Sequence, residues 1–131
     1  MNNRSLLKSA LVAVALSVSL ISCAKEEVIP VSQLPVEIKT YISTHFPSNT
    51  IVQVVKDLDG LTKTYDVMLS DQISLEFNRK NQIIDIDGKT ALPNSVIPEK
   101  IRQYVTANYP TNVITHRDLA DRNHQLHLAH G

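Results

Sequence analysis

Between residues 35 and 47 the apolar positions recur at helical spacing. Ile38, Tyr41 and Ile42, with His45 one turn further on, fall at i, i+3, i+4 and i+7, which predicts an amphipathic helix. Pro35 suits the first turn, Glu37 is favourably placed near the N-terminus, and Pro47 ends the helix by disfavouring helical geometry at Phe46. The period then switches to two. A valine-rich run from Ile51 to Leu58 stops at Asp59-Gly60, a turn signal. Tyr65, Val67 and Leu69 alternate with Asp66 and Met68. Ile73, Leu75 and Phe77 alternate with Ser74 and Glu76, and Ile84 and Ile86 with Asp85 and Asp87 before Gly88. This alternation predicts strands with one buried face. Ser70-Asp71-Gln72 and Arg79-Lys80-Asn81 fit short hairpin connections. The first half is therefore expected to be a helix packed across a four-stranded antiparallel meander.

The pattern is then used again. Residues 34–51 return, shifted by 63 positions, as residues 97–114, with six of the eighteen positions identical: Pro35/Pro98, Ile38/Ile101, Tyr41/Tyr104, Pro47/Pro110, Asn49/Asn112 and Ile51/Ile114. One structural unit used twice makes the fold a pair of halves. Val113 to Leu119 matches the first strand, Ala120 to Asn123 reads as a shorter turn, and His124 to Ala129 matches the second strand. Gly131 stands where the counterpart of Ile73–Phe77 begins. The fold class expected is α+β, built from tandem helix-plus-antiparallel-meander units. Residues 34–88 form the first, with four strands. Residues 89–131 form a second, truncated unit of the same domain, with two strands and an exposed sheet edge.

The N-terminus reads differently. Arg4 and Lys8 precede an apolar run from Ala10 to Ile21, too short to span a bilayer comfortably and suited to a secretory signal over residues 1–22. Leu20-Ile21-Ser22-Cys23 resembles the lipobox of bacterial lipoproteins, which implies lipidation at Cys23 and cleavage before it. Residues 23–33 are expected to be a lipidated tether, with Pro30 breaking any helix. Each acyl CH₂ contributes about 0.8 kcal/mol on burial, so two or three chains anchor stably. Ala24 in place of Asp favours the outer membrane by analogy with the enteric sorting rule. Lys25, Glu26 and Glu27 resemble the tract that sends some Bacteroidota lipoproteins to the cell surface. The expected location is the cell envelope, anchored to the outer membrane and either periplasmic or surface-exposed.

Removing the signal leaves 109 residues, enough for one domain with a core. It also removes two of the 13 basic residues, leaving 11 against 13 acidic ones. No basic field exists for nucleic acid. Cys23 is the sole cysteine, so the fold has no internal disulfide.

Candidate chemistry is sparse. His124, His127 and His130 invite a metal reading. On a strand His127 points away from the other two, so three such side chains cannot converge on one ion. Asp57, Asp59 and Gly60 resemble a fragment of a calcium loop, as do Asp85, Asp87 and Gly88, but neither has the remaining ligands, and Asp-Gly is ordinary hairpin chemistry. No G-x-S-x-G turn and no phosphate-binding glycine loop is present. No catalytic residue, metal or cofactor is expected. The six aromatic residues, Tyr41, Phe46, Tyr65, Phe77, Tyr104 and Tyr109, fall on positions assigned to the inner face. The acidic tip at Asp57 and Asp59 is the candidate contact for a partner protein.

The leucine-proline, isoleucine, tyrosine-isoleucine and aromatic-proline pattern, followed by a valine-rich strand, a DG turn and the strand YDVML, resembles the PepSY-like domain. More narrowly, it is similar to the beta-lactamase-inhibitor-like lipoproteins of Bacteroidota, the DUF2874 type. The resemblance covers residues 34–129. It implies helix-plus-sheet units in tandem and an architecture similar to the secreted beta-lactamase inhibitory proteins. It also implies a non-enzymatic module that binds an envelope protein or peptide, with inhibition or regulation of a secreted hydrolase or peptidase as the sharper form. The alternative is a structural lipoprotein that self-associates through its exposed sheet edge.

Overall fold

The computed structural model describes residues 24–119 and 126–130. Seven strands form one antiparallel sheet in sequential order: β1 (Ala24–Val28), β2 (Ile51–Asp59), β3 (Thr62–Leu69), β4 (Ile73–Phe77), β5 (Ile83–Asp87), β6 (Asn112–Asp118) and β7 (Leu126–His130). Two ten-residue helices, α1 (Val36–His45) and α2 (Glu99–Asn108), belong one to each half. The α+β meander expected from the periodicity is thus the observed architecture. The halves share one sheet, because β5 pairs with β6 through Asp85↔Asp118, Ile86↔Arg117 and Asp87↔His116.

Local chemistry explains the boundaries. Each helix is entered from a proline in extended geometry, Pro35 (φ −52°, ψ 145°) and Pro98 (φ −54°, ψ 138°), where the missing N–H costs nothing. Each ends before an aromatic-proline pair, and the N–H of Phe46 and of Tyr109 still donates to the carbonyl four residues back. Gly60 takes φ +59° in the two-residue turn between Asp59 and Thr62, a conformation that glycine adopts without steric cost. Asp71 and Gln72, between β3 and β4, and Asn81, between β4 and β5, also take positive φ. The repeat extends to irregularities. A register shift between Ile51 and Gln53 on β2 recurs between Ile114 and His116 on β6.

The core lies between the sheet and the helices. Ile38 and Ile42 of α1 pack with Phe46, Val54, Tyr65, Val67, Leu75, Phe77 and Ile86, all buried. Tyr41 rests edge-on against Phe77 at 5.6 Å between ring centroids. Arg117 reaches into this side from β6, donating to the Val96 carbonyl and lying against Tyr41. His45 and Ser95 share a hydrogen bond of 2.9 Å. Both contacts tie the first half to the second.

Two expectations need correction. The segment 23–33 is not wholly a tether. Its residues Ala24–Val28 form the edge strand β1, in register with β2 from Ala24↔Asp59 to Val28↔Val55, and Ile29 beyond them is buried. This pairing satisfies the backbone groups that β2 would otherwise present at an edge, and Pro30 lies just past the strand, where it breaks nothing. The second correction concerns the aromatic residues. Tyr104 is 59% exposed and Tyr109 43% exposed. Tyr41 is covered because β4 supplies Phe77, whereas among the described residues no strand stands beside β7 in the place that β4 takes beside β3. The expected turn at 120–123 and the residues His124 and Cys23 lie outside the described residues.

Candidate functional site

Both helices lie on one side of the sheet, so the polar members of each strand alternation share the other side. Cross-strand pairing aligns four of them. Asp66 stands opposite Glu76, Glu76 opposite Asp85, and Asp85 opposite Asp118. Four carboxylates on four adjacent strands thus form a single row across the middle of the helix-free face. Neighbouring strands are about 4.8 Å apart, and like charges directly opposite one another destabilise a sheet.

The electrostatics register that crowding. Asp66 has its pKa raised by desolvation, then by Asp57 and Glu26. Glu76 is raised by desolvation and then by Asp66, Asp85 and Asp118. Asp85 is raised by desolvation, opposed by His116, and raised again by Asp118 and Asp87. His116 stands beside two of these carboxylates: its Nε2 lies 3.3 Å from Asp85 and its Nδ1 3.7 Å from Asp87. Asp57 enters from β2, opposite Glu26 on β1, and its Oδ1 is shielded from water without a hydrogen-bond partner. With Asp59, Thr62, Thr64 and Glu76 it lines a shallow depression of about 260 Å³.

The structure therefore joins Asp57 to the row and leaves Asp59 exposed at the hairpin end. Of the four residues that matter more, Asp66, Glu76 and Asp118 were not singled out by sequence reasoning, and Asp85 was noted only as part of a calcium-loop fragment read as a turn. Three of the four were visible as the polar members of the alternation. What was missing was the pairing register that stacks them into one line. Among the described residues no three His, Cys, Asp or Glu side chains converge on a point that could hold a metal ion. No helix among them is long and apolar enough to cross a membrane.

Comparison with known proteins agrees with this architecture. The family model described as "Putative beta-lactamase-inhibitor-like, PepSY-like" matches twice, over residues 19–85 and 63–128. Among curated proteins, none matches the sequence. A "putative periplasmic protein from DUF2874 family" of Bacteroides vulgatus superposes with a TM-score of 0.74 at 31% identity, over 80% of this chain and 84% of that one. A "putative calcium-regulated periplasmic protein" of Bacteroides thetaiotaomicron gives 0.74 at 28% identity, over 79% and 83%. A second Bacteroides vulgatus periplasmic protein of unknown function gives 0.72 at 31% identity, over 79% and 85%. These neighbours support a periplasmic or envelope location. By the repeated match, which reaches from residue 19 to residue 128, and by the shared fold, the chain belongs to the PepSY-like, beta-lactamase-inhibitor-like family.

Proposed function

We propose that the chain is a non-enzymatic, lipid-anchored binding module of the cell envelope, and that its contact surface is the helix-free acidic face of the sheet. The observation that carries this reading is the row Asp66, Glu76, Asp85 and Asp118. Such a row costs stability, and nothing in the fold requires it. A partner that presents lysine or arginine side chains would relieve the repulsion and gain charge-assisted hydrogen bonds. Asp57 and Asp59 extend the contact toward one end. Inhibition or regulation of a secreted hydrolase or peptidase is the sharper form, with the face occupying a basic surface of the enzyme.

Lipidation at Cys23 would set the orientation. Ala24 is already paired with Asp59, so almost no tether separates the anchor from the sheet. The turn at Gly60 would face the bilayer, with Leu61 fully exposed on it. The acidic row would then stand above the membrane along the sheet.

One structural neighbour is called calcium-regulated. The carboxylates of this chain do not fit a preformed ion site, since those on adjacent strands stand side by side and no three converge among the described residues. We derive no step through calcium. Self-association has its own supporting observation, because among the described residues β7 is paired only with β6, leaving an edge to which a strand could add.

Immobilised residues 24–131 are expected to retain an envelope protein with a basic surface at low salt and to release it as salt rises. Retention of the chain's own copies alone, with concentration-dependent dimerisation in sedimentation, would transfer the reading to self-association through β7.

A further inference from the structure

We infer that the cleft at the C-terminal end of α1 binds a small amphipathic carboxylate, with its apolar tail on the cleft floor and its carboxylate at Lys39, and that a second, smaller copy of the site surrounds Arg102. The first cleft holds about 480 Å³, within the range of about 300–1,000 Å³ typical of small-molecule sites. Its floor is Ile42, Phe46 and Ile51, and its rim carries Lys39 and Ser43. The second holds about 170 Å³, with Val105 and Ile114 on the floor and Arg102 and Thr106 on the rim. Lys39, Ile42, Ser43 and Ile51, each moved by 63 positions, become Arg102, Val105, Thr106 and Ile114. The repeat has reproduced the cleft together with its chemistry.

That chemistry is not a by-product of the fold. The other exposed positions of the two helices have drifted apart: Val36 has become Glu99, Thr44 has become Ala107, and Glu37 has become Lys100, a reversal of sign. Toward the cleft a cation and an aliphatic hydroxyl stay in place. Neither cleft is lined by an acidic residue. Positions 37 and 100 carry opposite charges, whereas beside the apolar floor both copies carry a cation.

The cations are also available. Among the described residues no ion pair or hydrogen bond engages the side chain of Lys39 or Arg102. The Arg102 Nε is shielded from water without an acceptor, a state that costs free energy until one is supplied. Ser43 already donates to the Thr40 carbonyl at 3.0 Å, so anion recognition falls to the cation. The apolar floor calls for an aliphatic tail, because a fully hydrated anion would gain nothing there.

The test is titration of the full chain with octanoate, followed by amide chemical shifts. Shifts confined to residues 39–51 and 102–114 are expected. Lys39→Met should weaken binding at the first cleft by about tenfold or more, the loss of a charge-assisted hydrogen bond. It should leave the second cleft and the melting temperature unchanged, and Arg102→Met should do the converse. Octylamine, with the same tail and the opposite charge, should bind at least about tenfold more weakly. Equal binding of octylamine, octanoate affinity indifferent to Lys39→Met, or shifts spread over the sheet would each overturn the assignment. Shifts at only one cleft would overturn the paired site.

Discussion

Replacing Glu76 with Gln should make the folded protein more stable at neutral pH. Glu76 stands directly opposite two carboxylates, Asp66 and Asp85, and unfavourable cross-strand charge pairs contribute about 0.2–1 kcal/mol each. Removing the central charge eliminates both pairs, so a gain of about 0.4–2 kcal/mol is expected, nearer the lower end because the side chain is partly exposed and solvent screens it. The sign of the pH dependence is set by the raised pKa of Glu76, Asp66 and Asp85. In the window between the ordinary carboxylate values of 4.5 and 3.8 and the raised folded ones, the folded state binds more protons than the unfolded state. Stability therefore falls as pH rises through that window, and the loss is complete above it. Below the ordinary values Glu76, Asp66 and Asp85 are neutral in both states and their mutual penalty is absent. Urea unfolding of the parent and of Glu76→Gln, at pH 7 and at about pH 3, measures this directly. The variant should gain at neutral pH, and the gain should vanish in acid and shrink in high salt. Equal stability at pH 7, or an identical gain at both pH values, would refute the electrostatic reasoning.

The two repeat tyrosines should behave differently. Tyr41→Ala should cost about 2–4 kcal/mol because the ring packs on Phe77, and Tyr104→Ala, with its ring mostly exposed, should stay within about 0.5 kcal/mol. Matching losses in urea unfolding would show that Tyr104 is buried after all. Gly60→Ala, at φ +59°, should cost about 1 kcal/mol through backbone strain alone, since nothing lies within 4 Å of the added methyl. No change in the unfolding midpoint would reject the turn geometry. Cys23→Ala should abolish palmitate labelling and release the protein from membranes, and persistent labelling would remove the anchor.

The fold was legible because its signals are local. The change of period from the Ile38–Ile42 stripe to the Tyr65–Leu69 alternation marks the passage from helix to strand, and the repeated proline pairs bracket both helices. What escaped was set by pairing between distant segments. Nothing in Ala24–Val28 alternates convincingly. Those residues are ordered as a strand because β2 offers them a free edge. Tyr104 carries the same sequence signal as Tyr41, and only the strand that must cover it distinguishes a core ring from an exposed one. The site followed the same rule. Asp57 was found because it adjoins a turn. The carboxylate row needed three registers at once, each of which a single slipped residue would send to the opposite face.

The most direct test of the account is capture from native envelope extract with two baits, the parent domain and a variant carrying Asp66→Asn, Glu76→Gln and Asp85→Asn. Both baits should be folded, and the variant at least as stable as the parent. The parent should retain a partner that salt releases, and the variant should lose it. Equal retention of the same partner by both baits would show that the acidic face is not the contact surface.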